Sequence, residues 1–104
     1  MTVDVRIGEK TFVAEYLEGR TASGVQLFFV RNDELFDREE IYGEHGVPYE
    51  DNPTRFIFFS KAAIELARRL TPVPQILHSH DWAAALVPVL VRANNLPFAT
   101  VLTI

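Results

Sequence analysis

Residues 75–104, "QILHSHDWAAALVPVLVRANNLPFATVLTI", place two short β-like runs on either side of a helix-compatible segment. The pattern predicts strands over 75–79 and 98–103 and a helix over 82–93, which Asn94-Asn95 and Pro97 bring to an end. Two strands joined through a helix lie parallel, with a right-handed crossover between them. This order of elements limits the chain to an α/β fold.

A longer helix is predicted over residues 53–70. Asn52 is a favoured N-cap, Pro53 suits the first helical position, and Thr71-Pro72 stops the helix. Apolar residues recur at spacings of three and four along this segment, namely Phe56, Phe59, Ala63, Leu66 and Leu70. In the second helix, Pro88 removes a backbone hydrogen bond, at a cost of roughly 3 kcal/mol, so we expect a kink there.

The N-terminal part is predicted to be mostly β-structure. Residues 3–16 alternate around Gly8-Glu9-Lys10, which suits a hairpin, and "VQLFFV" follows as a further strand. Residues 31–51 show no periodicity and are predicted to be a long loop. Such loops are usually functional or disordered, and the aromatic residues in this one argue against disorder.

Composition excludes several classes of protein. The 104 residues are 48% hydrophobic, which is enough for the core of a single domain over 1–104. The net charge of -4, without any run of Lys or Arg, disfavours nucleic acid as a partner. No cysteine is present, so neither disulfides nor thiolate metal sites are possible. No segment resembles a signal peptide or a membrane span, and we expect a soluble cytoplasmic protein that makes no membrane contact.

Two histidines, an aspartate and a tryptophan form a polar corner at residues 78–82. His80 and Asp81 are predicted at the carboxyl end of one strand and the amino end of the next helix, where open α/β sheets bind ligands. A simpler explanation is structural: Asp81 caps the helix, Trp82 packs, and His78 points into the core and bonds a neighbour.

A fragment of a metal-dependent hydrolase is a further alternative. His78 and His80 alternate along a strand and so face the same side, as in hydrolases with an H-x-H pair. A catalytic zinc usually needs three protein ligands, however, and the only other histidine, His45, lies in the predicted loop. Trp82 stands where a hydrolase of the H-x-H-x-D-H type requires aspartate. We therefore expect no bound metal.

Three stretches together, "FDREEIYGEHGVPYEDNPTRFIFFSKAAIEL", "PQILHSHDWAAALVPVLV" and "PFATVLTI", closely resemble the amino-terminal catalytic domain of glycogen synthases and plant starch synthases. The resemblance covers residues 25–104. It implies a partial N-terminal domain of the GT-B fold, which is a Rossmann-like three-layer α/β domain with a mainly parallel sheet. A variable β-hairpin over residues 1–24 precedes it.

The resemblance also implies an activity, the transfer of glucose from ADP-glucose or UDP-glucose to the non-reducing 4-hydroxyl of an α-1,4-glucan with retention of configuration. No metal or other cofactor is implied. The implied catalytic residues are Asp81 and His80. The implied substrate-binding residues are Tyr42, Asp51, Asn52, Arg55, His78 and Trp82. A helix cap is another explanation for Asn52, and an ion pair is another explanation for Arg55.

Several features of the family are missing from the sequence. The 104 residues do not contain its Lys-Thr-Gly-Gly-Leu loop, they end one residue before the position of the family's His-Asn, and they do not include the family's second domain. We therefore expect a fragment that is inactive alone and that self-associates through an exposed sheet edge. A non-catalytic glucan-binding or assembly module is the alternative from another class of protein.

Overall fold

The computed structural model describes all residues from 1 to 104. Its elements, in chain order, are β1 (Thr2–Ile7), β2 (Lys10–Arg20), β3 (Gln26–Arg31), α1 (Asp33–Phe36), β4 (Gly43–Glu44), β5 (Val47–Pro48), α2 (Asn52–Arg69), β6 (Ile76–His80), a 3₁₀ turn (Trp82–Ala84), α3 (Leu86–Ala93) and β7 (Ala99–Thr103). The chain divides into two compact units, residues 1–55 and residues 56–104. This division does not test the expectation of a single domain over 1–104, which stays a prediction.

The first unit begins with a three-stranded antiparallel sheet in the order β1-β2-β3. Gly8 and Glu9 connect β1 to β2, with Ile7 opposite Lys10. Gly8 has a φ of +62°, which glycine adopts without steric cost and which suits the first central position of a type II′ turn. The predicted hairpin is therefore confirmed, and the "VQLFFV" segment contributes the third strand.

One face of this sheet supplies the core of the first unit. Burial alternates along β1 and β2, and the buried residues are Val3, Val5, Phe12, Ala14 and Tyr16. Asn32 ties α1 to the sheet, because its Nδ2 donates to the Val13 carbonyl at 3.0 Å while its Oδ1 accepts from the Leu35 N–H at 3.1 Å. Leu35 is buried as a result.

Residues 31–51 contain more regular secondary structure than the long loop that was predicted for them. They contain α1 and the β4–β5 hairpin, elements of four and two residues that are too short to show a period in the sequence. His45 and Gly46 both have positive φ, as a type I′ turn requires. At Gly43, a Cβ would overlap the backbone of Val47, so glycine permits the close approach of the two strands.

The second unit contains the strand–helix–strand order predicted from the sequence. β6 and β7 pair in parallel, from Ile76 opposite Ala99 to His80 opposite Thr103. The α/β class and the parallel pairing are thus confirmed, while the other strand pairs of the chain are antiparallel. The predicted 53–70 helix is α2, which runs from Asn52 to Arg69.

The predicted helix over 82–93 is divided rather than kinked. A 3₁₀ turn spans Trp82–Ala84, and α3 starts afresh at Leu86. Pro88 is the third residue of α3, a position where the missing N–H has no intrahelical acceptor to lose. The prediction of a continuous kinked helix was wrong because restarting the helix two residues before Pro88 avoids the steric conflict.

A hydrophobic core holds the second unit together. It consists of Ile64 and Ala67 from α2, Val87 and Val91 from α3, and Phe98, with Leu77, Leu90 and Leu96 packed against them. These side chains join both helices to the parallel strands. None of the helices is both long enough and apolar enough to cross a membrane.

Val91→Ala and Val89→Ala form a matched pair of substitutions on α3. Val91 is 5% exposed in the core, whereas Val89 is 59% exposed. Val91→Ala is expected to lower the free energy of unfolding by about 2 kcal/mol, and Val89→Ala by about zero, because only the first removes buried methyl groups. Urea unfolding of both variants measures the difference, and equal midpoints would contradict this core.

Candidate active site

The histidines of β6 lie on the exposed face of the parallel pair. Burial alternates along the strand, so that Ser79 is buried while His78 and His80 are exposed. The centroids of the two imidazole rings lie 4.3 Å apart, and the ring planes are tilted by 32°. His78 Nε2 is hydrogen-bonded to Thr103 Oγ1 at 2.8 Å, which fixes the ring against β7. Nowhere do three or more His, Cys, Asp or Glu side chains lie close enough together to hold a metal ion.

Asp81 follows β6 in a strained backbone conformation. Its φ of +64° and ψ of -179° fall in a region that is essentially restricted to glycine and costs on the order of 1–3 kcal/mol for other residues. Its N–H donates to the Thr103 carbonyl at 2.7 Å, and its Oδ1 accepts from the Trp82 N–H at 2.7 Å. Such strain is typical of functional sites. The exposed carboxylate therefore stands at the carboxyl end of a parallel strand, in a conformation that the surroundings impose.

A purely structural role does not account for the whole corner. Asp81 does cap the 3₁₀ turn, but the only N–H that its carboxylate accepts from is that of the next residue, whereas an N-cap side chain ordinarily reaches the second or third residue of a helix. His78 bonds a neighbour but is exposed, so its predicted position in the core was wrong.

Trp82 offers an aromatic surface beside Asp81. Its side chain is 53% exposed, and its ring meets Phe56 edge-on at a centroid distance of 4.9 Å and an angle of 75°. Phe56 belongs to α2, so the contact links the 3₁₀ turn to that helix. An aromatic ring with a fixed orientation can stack on an apolar face of a ligand at little entropic cost.

In the first unit, Tyr42 combines an exposed side chain with a tightly held backbone. Its side chain is 47% exposed. Its carbonyl accepts hydrogen bonds from the Tyr49 N–H at 3.1 Å and from Asn52 Nδ2 at 2.9 Å. The residue therefore stands immediately before β4 with its main chain immobilised and its ring presented to solvent.

Arg55 is the buried centre of the same region. It is 2% exposed, and its Nε donates to the Leu35 carbonyl at 2.7 Å. Its Nη1 donates to the Ile41 carbonyl at 2.9 Å and to Asn52 Oδ1 at 2.8 Å. Burial lowers the pKa of the Arg55 guanidinium, which stays charged because arginine does not deprotonate in proteins. The Asn52 amide is directed at Tyr42 and Arg55, so a helix cap does not explain it.

Asp51 pairs with Arg38. Two oxygens of Asp51 meet the two terminal nitrogens of Arg38 at 2.6 Å each, in a bidentate pair. This pairing, chiefly through its hydrogen bonds, holds the pKa of Asp51 below its ordinary value of 3.8. Arg38 also lies over the Tyr49 ring, at 4.9 Å from its centroid.

The residues predicted as site residues fall into two groups. Tyr42, Asp51, Asn52 and Arg55 lie together in the first unit, and His78, His80, Asp81 and Trp82 lie together in the second. Arg38 and Tyr49, which organise the first group, were not predicted as site residues from the sequence. Arginines and tyrosines within one aromatic-rich segment were the available signal, but the identity of each partner depends on the β4–β5 turn.

The crossover between parallel strands is typical of an α/β domain of the Rossmann type, and the strained aspartate lies at the strand's carboxyl end, the edge where such sheets commonly bind ligands. The family model described as the starch synthase catalytic domain matches residues 1–104, and the chain belongs to that family. The resemblance noted in the sequence is thereby confirmed.

Curated relatives agree with this assignment. The chain is similar to the glycogen synthase of Koribacter versatilis, with 45% identity over 76 residues, which are 73% of this chain and 16% of the relative. It is similar to glycogen synthase 2 of Geobacter sulfurreducens, with 37% identity over 95 residues, or 86% of this chain and 20% of the relative. The chain thus spans about a sixth to a fifth of the length of these relatives.

Asp81→Gly and Asp81→Ala test the strain at the corner. Both remove the carboxylate, but only glycine adopts this backbone conformation freely. The glycine variant is therefore expected to be more stable than the alanine variant by about 1–2 kcal/mol, after allowance for the greater entropy of glycine in the unfolded chain. Thermal or urea unfolding measures this difference, and an alanine variant as stable as the glycine variant would show that the backbone is relaxed.

Acidification tests the Arg38–Asp51 pair. A carboxyl group whose pKa is lowered by folding contributes stability above its ordinary pKa, and this contribution is lost as the pH falls through the lowered value. Asp51 is 39% exposed in its side chain, so the contribution is expected to be at most about 1 kcal/mol. Between about pH 5 and pH 3, the free energy of unfolding should fall more for the native chain than for Asp51→Asn.

Urea titrations at both pH values measure this difference. Asp37→Asn, at an exposed carboxylate in the same segment, is the control and should follow the native chain. If the native chain and Asp51→Asn lose stability equally on acidification, the pair makes no contribution.

Proposed function

We propose that this chain forms part of a glucosyltransferase that elongates α-1,4-glucan. In this proposal, glucose passes from ADP-glucose or UDP-glucose to the non-reducing 4-hydroxyl of the glucan, with retention of configuration. The observation that carries the proposal is Asp81, an exposed carboxylate in a strained conformation at the carboxyl end of a parallel strand. Membership of the starch synthase catalytic domain family supports the choice of reaction.

The corner in the second unit would act on the transferred glucose. The Asp81 carboxylate accepts hydrogen bonds from sugar hydroxyls and stabilises the positive charge that develops at the anomeric carbon as the bond to the phosphate breaks. His80, the residue before it, offers ring nitrogens for a second hydrogen bond to the sugar. We assign these two residues the catalytic roles, with no metal or other cofactor.

Aromatic and polar side chains would hold the substrates. Tyr42 and Trp82 each present a ring that is about half exposed, and such rings stack on the apolar faces of pyranoses while they exclude water. His78, fixed by Thr103, is the polar substrate-binding residue of the corner. Direct contact of Asp51 and Asn52 with substrate stays a prediction, whereas Arg55 is 2% exposed and donates to acceptors inside the protein.

We further propose that a polypeptide of these 104 residues transfers no glucose by itself. Transfer requires donor and acceptor to be held in line, and such positioning can be worth about 7–11 kcal/mol of the barrier. The phosphates of a nucleotide sugar also need cationic partners, whereas this chain has a net charge of -4. Self-association of the chain stays a prediction as well.

A chimera provides the test. The segment of this chain that aligns with the Koribacter versatilis glycogen synthase replaces its counterpart in that enzyme. The chimera is expected to incorporate labelled glucose from ADP-glucose into glycogen. Asp81→Asn in the chimera should lower kcat by about 10²–10³-fold, since it removes a charge used in the transition state. Asp37→Asn, which alters an exposed carboxylate, is the matched control and should leave kcat unchanged.

The outcomes separate the competing functions. Unchanged kcat in the Asp81→Asn chimera would contradict the catalytic role of Asp81. A chimera that binds maltooligosaccharide but transfers no glucose would favour a non-catalytic glucan-binding module. Incorporation by the 104-residue polypeptide alone, abolished by Asp81→Asn, would overturn the proposal that the isolated chain is inactive.

A further inference from the structure

Two successive carbonyls beside the β4–β5 hairpin are held by one buried arginine and one asparagine. Arg55 Nη1 donates to the Ile41 carbonyl at 2.9 Å and to Asn52 Oδ1 at 2.8 Å. Asn52 Nδ2 in turn donates to the Tyr42 carbonyl at 2.9 Å. Since the arginine can only donate, it determines which end of the Asn52 amide is the oxygen, and hence which end is the donor that faces Tyr42.

We propose that Arg55 is a positioning residue, which holds the backbone of Tyr42 so that its ring is presented to a sugar, and which does not itself touch substrate. Arg55 is 2% exposed, and its Nε and Nη1 already donate to three acceptors within the protein. The donors of its guanidinium group are therefore directed at the protein and not at solvent. The proposal rests on the proposed role of Tyr42 in stacking on a sugar.

Aromatic packing supplies a second, independent connection between Arg55 and Tyr42. The guanidinium carbon lies 5.3 Å from the centroid of Phe36 and 4.9 Å from that of Tyr49. Tyr49 donates its N–H to the Tyr42 carbonyl at 3.1 Å. Both donors to that carbonyl thus come from residues in contact with Arg55, one through a hydrogen bond and the other through its ring.

The other face of this arrangement is held by the Arg38–Asp51 pair. Arg38 lies 4.9 Å from the Tyr49 centroid, and its Nη2 also donates to the Glu34 carbonyl at 3.0 Å. Tyr49 is therefore contacted by two guanidinium groups. Its hydroxyl donates to the Glu40 carbonyl at 3.2 Å, which fixes the remaining end of the ring.

The arrangement has a direct consequence for binding. The Tyr42 side chain is 47% exposed and Ile41 is 68% exposed, while their carbonyls are bound from within. A side chain whose backbone is already held before a ligand arrives loses less conformational entropy on binding. A lysine at position 55 could not make the same set of hydrogen bonds, because an ammonium group lacks the planar fork with which a guanidinium group donates in fixed, diverging directions.

Arg55→Lys in the 104-residue chain is the first test, with amide hydrogen exchange measured by NMR. The Tyr49 N–H, which bonds the Tyr42 carbonyl, is expected to exchange at least about tenfold faster in the variant, while amides of β1 and β2 keep their rates. Arg68→Lys, at an exposed arginine of α2 paired with Glu65, is the matched control and should change neither. Equal acceleration of all amides would mean that Arg55 merely stabilises the fold, and would overturn the proposal.

Asn52→Asp answers the same question if Arg55→Lys fails to fold. The substitution keeps the size of the side chain and the oxygen that accepts from Arg55, but removes the donor to the Tyr42 carbonyl. The same local acceleration of about tenfold at the Tyr49 N–H is expected. An unchanged rate would show that the Arg55–Asn52 connection does not hold Tyr42.

Steady-state kinetics of the chimera test whether the positioning of Tyr42 by Arg55 affects the binding of glucan. Arg55→Lys should raise the KM for glucan by the same factor as Tyr42→Ala and leave kcat unchanged, and the double variant should be no worse than Tyr42→Ala alone. Multiplicative effects in the double variant would overturn the proposal. If Tyr42→Ala leaves KM unchanged, the sugar-stacking role of Tyr42 fails instead, and hydrogen exchange still decides whether Arg55 holds the backbone.

Discussion

The parallel hydrogen bonding of β6 to β7 is the constraint on which the candidate corner depends. It continues past the end of β6, where the Asp81 N–H donates to the Thr103 carbonyl. The chain must then turn at once into the 3₁₀ segment, and a positive φ at Asp81 is the result. The same register places Thr103 within hydrogen-bonding distance of His78. The positions of the aspartate and the histidine therefore both follow from how β7 lies against β6.

A different physical device organises the first unit. Residues 31–51 contain too little regular structure to satisfy their own backbone groups, so arginine side chains take over that task. Arg55 binds the Leu35 and Ile41 carbonyls, and Arg38 binds that of Glu34. Burial of Arg55 is tolerable because its donors find acceptors and its faces meet aromatic rings. An ordered surface segment results, from which the Tyr42 ring projects.

In both regions, an energetically unfavourable feature lies close to a side chain that is exposed to solvent. Asp81 keeps a conformation that glycine would adopt more easily, and Arg55 keeps a charge away from water. The candidate site residues, among them Asp81 and Tyr42, were predicted from residue type and from family resemblance. The backbone strain at Asp81, the hydrogen-bonding partners of Tyr42 and the roles of Arg38 and Tyr49 could not be predicted in that way. Each depends on contacts between residues that are distant in sequence.

The sequence by itself determined the elements with a clear period or a clear end signal, namely α2, the β1–β2 hairpin and the parallel strand pair, as well as the family. Local rules determined the helix, the hairpin and the individual strands because the interactions concerned lie within a few residues, and the parallel pairing followed from the strand–helix–strand order. Tertiary structure alone decided that α3 restarts at Leu86, that 31–51 forms α1 and a hairpin, and that Arg55 reaches Leu35, Ile41 and Asn52. Those outcomes depend on which groups come into contact once the chain has folded. Buried polar groups need hydrogen-bond partners, and the folded chain supplies these from residues that are distant in sequence.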